Sequence, residues 1–216
     1  MEPQFWRDRW EEGRIGFHKD VVHPHLVAHL PRLVLTHGAR VFVPLCGKTL
    51  DIGWLAAQGY RVVGAELSEI AVRELFEGLG VEAEVVSAGP LALWRWAGVE
   101  IFVGDLFDLD AARLGPVDAI YDRAALVALP EAMRARYAEA LVEMTGSAPQ
   151  LAITFEYDQT KMAGPPFSVT PEEVQRLYGG VYALEVAWRG AVPGGLKGGV
   201  VEAEETVWVA NGTSSP

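Results

Sequence analysis

Residues 41–56, VFVPLCGKTLDIGWLA, run from an apolar, β-rich segment through a Gly-Lys-Thr turn into a segment whose apolar side chains recur at helical spacing. A second β-rich segment, RVVGAE, follows at residues 61–66, and Ser68 then stands where an N-cap is expected for a helix over residues 69–79. Strand-like and helix-like patterns therefore alternate. This order predicts parallel strands with helices on both faces of one sheet.

The same alternation continues along the chain and breaks only near its end. Three more strands and one helix are predicted, over residues 100–103, 117–121, 150–155 and 130–144. Two β-rich segments at residues 181–188 and 200–209 are then joined by a Gly- and Pro-rich connection without a helix. They predict a C-terminal antiparallel hairpin attached to a mostly parallel sheet. The predicted fold class is α/β and Rossmann-like.

Length and composition predict one domain. The chain has 216 residues, of which 50% are hydrophobic, enough to bury one sizeable core and short for two. We expect the domain to cover residues 1–210, including an N-terminal helical segment over residues 1–35. Residues 211–216 are polar and are expected to form a frayed tail.

Charge and cysteine content narrow the classes of partner. A formal net charge of -11 should repel a nucleic-acid backbone, so we expect no nucleic-acid partner. No uncharged apolar stretch approaches the roughly 20 residues that cross a bilayer, so no membrane span is expected. The single cysteine, Cys46, cannot form an internal disulfide, and the N-terminus has no secretory pattern. These features predict a cytoplasmic protein.

The Gly-Lys-Thr turn does not fit a phosphate site. A P-loop needs a glycine five residues before Gly47, and that position is Phe42. A dinucleotide turn also fails, because only Gly53 lies near Gly47. Glu66, 19 residues beyond Gly47, ends the second predicted strand and is placed to accept hydrogen bonds from a ribose diol. The pattern favours an adenosine without a pyrophosphate, and S-adenosylmethionine fits.

These segments resemble the thiopurine S-methyltransferase family. The resemblance spans nearly the whole chain, and its segments are FWRDRW, IGFH, VFVPLCGKTLDIGWLAAQGYRVVGAELSE, LFDL, YDRAALVAL and YDQTKMAGPPFSVTPEEVQRLYG. It implies a class I methyltransferase with a mostly parallel seven-stranded sheet. It also implies methyl transfer from S-adenosylmethionine to the sulfur of a small aromatic or heterocyclic thiol. The cofactor contacts that it implies fall on Trp10, the main chain of Leu45, Glu66, Asp105, Leu106 and Arg123.

The N-terminal aromatic residues allow two interpretations. Trp6 and Trp10 are four residues apart and share a helix face, so they either staple the segment to the domain or form a lid over the cofactor. Phe17 resembles the aromatic residue of the family that closes over cofactor and acceptor. An aromatic wall suits a cationic sulfonium.

Arg123 and His18 are the candidates for chemistry on the acceptor. Arg123 either forms a salt bridge, for example with Asp122, or stabilises an anionic sulfur acceptor, which makes it the predicted catalytic residue. His18 either accepts a proton or is a structural histidine. His25 and His29 have helical spacing but lack a His-Glu-x-x-His arrangement, so no metal site is predicted.

Three other functions remain open on sequence grounds. A methyltransferase of this family acting on a selenium or tellurium species would share every motif. A nucleotide-dependent oxidoreductase would share Glu66 but should have a glycine-rich turn. A non-catalytic cofactor-binding protein would have no need of Arg123. We expect a monomer, and the physiological acceptor is not determined by the sequence.

Overall fold

The computed structural model describes residues 3–212, which form one nine-stranded sheet flanked by helices. The strands are β1 Arg40–Pro44, β2 Arg61–Glu66, β3 Glu84–Ala88, β4 Leu91–Trp96, β5 Val99–Val103, β6 Ala119–Arg123, β7 Gln150–Tyr157, β8 Tyr182–Ala191 and β9 Ala203–Gly212. The helices are α1 Pro3–Glu11, α2 Pro24–His29, α3 Leu50–Ala57, α4 Glu69–Gly78, α5 Ala111–Leu114, α6 Glu131–Thr145 and α7 Pro171–Tyr178. Short 3-10 turns cover Leu30–Leu33, Leu106–Asp108 and Leu126–Ala128.

The strand order is β3-β4-β5-β2-β1-β6-β7-β9-β8. The five strands from β5 to β7 in this order are parallel, and β9 and β8 extend the sheet as an antiparallel hairpin. The predicted α/β sheet with a parallel centre and a C-terminal antiparallel hairpin is therefore confirmed, and it has nine strands where seven were expected.

The sequence analysis missed two strands at the other edge. Strands β3 and β4 form a second antiparallel hairpin that pairs with β5. The signal was present, because Gly89 and Pro90 lie between two β-rich runs and Gly89 has φ 74°. Glycine at the first central position is typical of a tight hairpin turn.

Other boundaries also differ from the prediction. Helix α3 begins at Leu50, because the side chain of Thr49 accepts a hydrogen bond from the backbone N–H of Asp51 and caps the helix. Strand β9 continues through Gly212, which pairs with Tyr182, so the predicted start of the tail at residue 211 is wrong. The remainder of that tail, residues 213–216, lies outside the described residues.

Helices cover both faces of the sheet, as predicted. The face that packs against α2, α3 and α4 through Leu26, Ile52 and Val72 is called the α3 face below. The opposite face, which packs against α6 and α7 through Leu141 and Val174, is called the α6 face. Alternate residues of a strand point to opposite faces, so side chains two residues apart share one of them.

Gly64 in β2 is required by close packing. A Cβ atom there would lie 2.7 Å from Cδ1 of Ile101 and 2.9 Å from Sγ of Cys46. We expect Gly64→Ala to lower the free energy of unfolding by about 1–3 kcal/mol, because an overfilled core must shift. Urea denaturation measures this change.

Gly78→Ala is the matched control, since an added Cβ there meets no atom within 4 Å and Gly78 ends a helix. It should leave stability unchanged or raise it by about 0.5–1 kcal/mol. Equal stabilities of the Gly64→Ala protein and the wild type would show that the core at this point is loosely packed.

Candidate active site

Four parallel strands end side by side and bring the predicted site residues to one edge of the sheet. Glu66 closes β2 and pairs with Val103 of β5, while Arg123 closes β6. Leu45 follows β1, and Asp105 follows β5. In parallel sheets this carboxyl edge is where ligands bind. Residues that are far apart in the sequence therefore surround one candidate site.

The Glu66 carboxylate is buried and held by backbone N–H groups. One oxygen accepts from Gly47 N at 2.7 Å and the other from Ser68 N at 2.8 Å. Burial raises the pKa of this carboxyl, while the bonds from Ser68 and Gly47 oppose the rise. Each carboxylate oxygen can accept a further hydrogen bond, so Glu66 is oriented in advance for a pair of hydroxyl donors.

The turn after β1 has an unusual backbone conformation. Leu45 and Gly47 have φ values of 46° and 53°, and the N–H of Cys46 donates to the carbonyl of Ala65 at 3.0 Å. A left-handed non-glycine residue costs about 1–3 kcal/mol and is typical of ligand sites. Burial, and then the charge of Glu66, raise the pKa of the Cys46 thiol, so this buried cysteine is a packed thiol.

Trp10 lies on this turn. It is 6% exposed, and a Cβ atom at Gly47 would lie 3.3 Å from its ring. Its ring is also in edge contact with Phe17, with centroids 5.5 Å apart, and Phe17 in turn contacts Trp6 at 5.6 Å. These three aromatic residues form one cover over the turn, the "aromatic lid" below. The packing of Trp10 fits the interpretation as a staple, and the role of these residues as a cover over the cofactor stays a prediction.

Asp105 and Leu106 lie next to Glu66 but are partly committed to their own turn. The carboxylate of Asp105 accepts from Phe107 N at 3.0 Å, and Leu106 is 4% exposed. The N–H of Gly104 donates to the carbonyl of Glu66 at 2.9 Å, which fixes this turn beside β2. The pair stays a predicted adenine contact.

The side chain of Arg123 has no hydrogen bond or ion pair with any of residues 3–212, although its charge lowers the pKa of the buried Glu205 carboxyl. Asp122 points to the α6 face, where it accepts from the hydroxyl of Tyr137 at 2.8 Å and from Leu126 N at 3.1 Å. The salt bridge with Asp122 that the sequence left open is therefore wrong. The Arg123 guanidinium remains available for a ligand at the carboxyl edge.

His18 directly follows Phe17 of the lid, and it lines a small cavity with Lys48 and Glu74. Its side chain is 16% exposed, and Nε2 lies 3.5 Å from Oδ1 of Asp20. Burial and the charge of Lys48 lower the pKa of His18, Asp20 opposes this, and Arg123 lowers it further. The neutral imidazole therefore predominates near pH 7 and can accept a proton.

A separate open groove of about 670 Å³ lies at the starts of α6 and α7. Its lining includes Arg134 and Phe167 but none of the predicted site residues. The guanidinium of Arg134 is occupied by Glu173 and by the carbonyl of Leu129. We place the site at the carboxyl edge, because the groove offers only cations that already have partners.

Within residues 3–212, no three or more His, Cys, Asp or Glu side chains are grouped to hold a metal ion. In the same part of the chain, no helix is both long and apolar enough to cross a membrane.

Asp122 should make stability depend on pH. Burial raises the pKa of its carboxyl from 3.8 to about 6, opposed by the bonds from Leu126 and Tyr137. Because the folded-state pKa is the higher one, the contribution of this group to stability is full below the unfolded value of 3.8 and is lost as the pH rises through about 6. The free energy of unfolding of the wild type relative to Asp122→Asn should fall by roughly 2–3 kcal/mol between about pH 4 and about pH 7.

Urea titrations of both proteins at the two pH values test this expectation. The difference between the proteins isolates Asp122 from other groups that titrate in the same range. If the free energy of unfolding of the wild type relative to Asp122→Asn stays constant or rises with pH, the expectation is wrong.

A sheet of this topology, with a close turn after its first strand and a buried acid ending its second, defines a Rossmann-like α/β protein. A 1,6-didemethyltoxoflavin-N1-methyltransferase from Burkholderia thailandensis shares the fold at 17% identity with a TM-score of 0.65, covering 97% of this chain and 87% of that one. Magnesium protoporphyrin IX methyltransferase from Synechocystis is 14% identical with a TM-score of 0.64, covering 97% of this chain and 100% of that one.

Closer relatives give the family. The model of the family described as thiopurine S-methyltransferase matches residues 1–212. A thiopurine S-methyltransferase of Xanthobacter autotrophicus is 57% identical over 210 residues, 97% of this chain and 98% of the relative. One from Teredinibacter turnerae is 51% identical over 208 residues, 96% of each chain. The chain belongs to the thiopurine S-methyltransferase family and is an S-adenosylmethionine-dependent methyltransferase, which sets aside the oxidoreductase and non-catalytic alternatives.

The residues present fit this cofactor. The buried Glu66 carboxylate has capacity for a ribose diol, and Gly47, which has no side chain, lets the Trp10 ring pack closely on the turn. Trp10, Leu45 and Glu66 would hold the cofactor at this edge, with Asp105 and Leu106 on the adenine side.

Proposed function

We propose that the enzyme transfers the methyl group of S-adenosylmethionine to the sulfur of a small aromatic or heterocyclic thiol by in-line displacement. The observation that carries this proposal is the guanidinium of Arg123, which ends β6 at the carboxyl edge and has no hydrogen-bond or ion-pair partner among residues 3–212. S-adenosylmethionine supplies an electrophilic methyl group and leaves as a neutral thioether. An acid at the leaving group is therefore not needed.

Arg123 supports an acceptor that binds as a thiolate. A cation at this position would discourage a positively charged cofactor, so its presence makes sense if it meets an anion. The guanidinium offers a planar set of N–H donors that can hold a thiolate or a purine ring nitrogen. We propose that Arg123 lowers the pKa of the bound thiol and orients its sulfur toward the methyl group.

The aromatic lid and Glu66 supply alignment. Glu66 and the Leu45 turn would fix the adenosine, while Trp6, Trp10 and Phe17 exclude water above the reacting groups. Effective alignment of two bound reactants accounts for a large part of such catalysis. We further propose that His18, with its lowered pKa, accepts the proton of the acceptor thiol.

An acceptor panel tests the proposed function. The purified enzyme is incubated with S-adenosylmethionine and, separately, a heterocyclic thiol such as 6-mercaptopurine, its oxygen analogue, an aliphatic thiol, and selenite or tellurite. Methylated products are measured by mass spectrometry. We expect kcat/KM for the heterocyclic thiol to exceed that for the oxygen analogue by at least about 100-fold, because sulfur is the softer nucleophile and Arg123 favours its anion.

Turnover confined to the selenium or tellurium species would favour the alternative acceptor class. Turnover of the oxygen analogue at a comparable rate would overturn the sulfur specificity.

We also propose a cytoplasmic monomer with no nucleic-acid partner. The net charge of -11 is unfavourable for nucleic acid. Light scattering coupled to size-exclusion chromatography measures the oligomeric state.

A further inference from the structure

A buried carboxylate on the α3 face is held by two histidines. Oε1 of Glu205 lies 3.6 Å from Nε2 of His23, and Oε2 lies 3.1 Å from Nε2 of His25. The three side chains are only 11%, 13% and 16% exposed. We call these three residues the Glu205 cluster. They do not take part in the chemistry derived above.

The strand register places this cluster close to Arg123. Arg123 pairs with Ile153 of β7, and Ile153 pairs with Val207 of β9. Glu205 lies two residues from Val207, so its side chain points to the same face, which is also the face of Arg123. Two strand spacings and two residues separate the Cα atoms of Arg123 and Glu205 by roughly 12 Å. Extended arginine and glutamate side chains can bridge that distance.

The cluster is fixed from two sides. The ring of His25 packs against Trp188 at a tilt of 40° with centroids 4.2 Å apart, and the backbone N–H of His23 donates to Oδ1 of Asp51 at 2.8 Å. Burial raises the pKa of Glu205, but the hydrogen bond from His23 and the charges of His23, His25 and Arg123 lower it overall. Glu205 is therefore an anion near pH 7, and the nearby Arg123 is a potential partner.

Two other buried acids, Asp51 bonded to β6 and Asp122 within it, are also occupied. Asp51 accepts from the hydroxyl of Tyr121 at 3.0 Å in addition to the N–H of His23. Asp122 is held on the opposite face by Tyr137. His23 and His25 contact the Glu205 carboxylate, and the hydroxyl of Tyr121 donates to Asp51. Each of these acids therefore has a partner other than Arg123.

We propose that His23 and His25 act as positioning residues that hold the Glu205 carboxylate away from Arg123, so that the guanidinium stays available for an anionic acceptor. This inference rests on the proposed role of Arg123 in binding the acceptor. The cluster determines specificity for the charge of the acceptor and acts through Arg123.

A double-mutant cycle tests the inference. His25→Phe keeps an aromatic ring against Trp188 but removes the N–H that makes the shorter contact, 3.1 Å, with Glu205. The released carboxylate should then pair with Arg123, and KM for 6-mercaptopurine should rise about tenfold with little change in kcat. Adding Glu205→Gln to this variant should restore KM to within about twofold of the wild type, because the competing charge is gone.

Two control variants distinguish a change in the position of the Glu205 carboxylate from a nonspecific loss of structure. His25→Gln retains an N–H donor for Glu205 and should keep KM within about twofold of the wild type. Glu204→Gln removes the neighbouring exposed acid, which pairs with Arg189, and should have no effect on KM. Calorimetric affinity for S-adenosylmethionine should be the same in all of these proteins.

The outcomes are decisive in both directions. A raised KM in His25→Phe that Glu205→Gln reverses supports the inference. An unchanged KM, or a raised KM that Glu205→Gln leaves in place, overturns it. Arg123→Gln measured in parallel identifies the cause: if that variant binds the acceptor normally, the proposed role of Arg123 fails, and if it does not, only the role of the cluster fails.

Discussion

Replacement of Glu66 by alanine is expected to weaken the binding of S-adenosylmethionine by at least about 100-fold. The carboxylate is 6% exposed and held by Gly47 N and Ser68 N, so it meets a ribose diol without reorganising. Hydrogen bonds to a charged group contribute about 1.5–3 kcal/mol each, and two are lost. A loss of about 3 kcal/mol corresponds to a Kd increase of about 100-fold. Isothermal calorimetry with S-adenosylmethionine and with its demethylated product measures the change.

Glu69→Ala provides the control for this measurement. Glu69 lies three residues away, is exposed, and pairs only with Arg73 at 2.7 Å among the described residues. Its removal should leave the Kd unchanged. Since Glu66→Ala also deprives two N–H groups of their acceptor, thermal unfolding of each variant shows that binding is measured on folded protein. A Kd within about threefold of the wild type would remove Glu66 from the ribose site.

Replacement of Arg123 by glutamine is expected to lower kcat/KM for a thiopurine by about 100-fold. The guanidinium has no partner among residues 3–212, so the free enzyme loses little stability when it is removed. A charge-assisted bond to a thiolate is lost, which costs about 1.5–3 kcal/mol in the transition state. Arg123→Lys keeps the positive charge but not the planar set of N–H donors, so its kcat/KM should lie between those of Arg123→Gln and the wild type.

The pH profile gives a second measurement of the same role. Removing the cation disfavours the thiolate, so the pKa that governs turnover should rise and the profile should move to higher pH. Arg73→Ala, which removes an exposed arginine of α4, should not move it. Unchanged turnover of Arg123→Gln at limiting thiopurine would show that Arg123 does not stabilise the acceptor.

Much of the fold followed from local patterns in the sequence. The Ser68 cap, the helix that it begins and the strand that ends at Glu66 all appear as expected. These features depend on residues within one or two turns of each other, and local periodicity reports them well. The hairpin of β3 and β4 was missed even though Gly89 and Pro90 mark its turn.

The end of β9 shows where local reasoning failed. Asn211 and Gly212 are poor strand formers, yet they pair with Ala183 and Tyr182 of β8. Backbone hydrogen bonds to a neighbouring strand override the preference of a polar residue for a loop. Such pairing depends on a strand about thirty residues away and is not visible in the composition of the tail.

The amino-acid pattern was enough to establish the alternating sheet, the acid 19 residues beyond Gly47 and the family to which the chain belongs. It was enough because periodicity, motif spacing and glycine positions are properties of short segments. Tertiary structure alone decided that Trp10 covers the turn and that Glu205 meets His23 and His25. It also decided that the Arg123 side chain has no hydrogen-bond or ion-pair partner among residues 3–212. The reason is physical, because these contacts form only when helices α1 and α2 pack on the sheet, which brings His23 and His25 to Glu205 from a distant part of the chain.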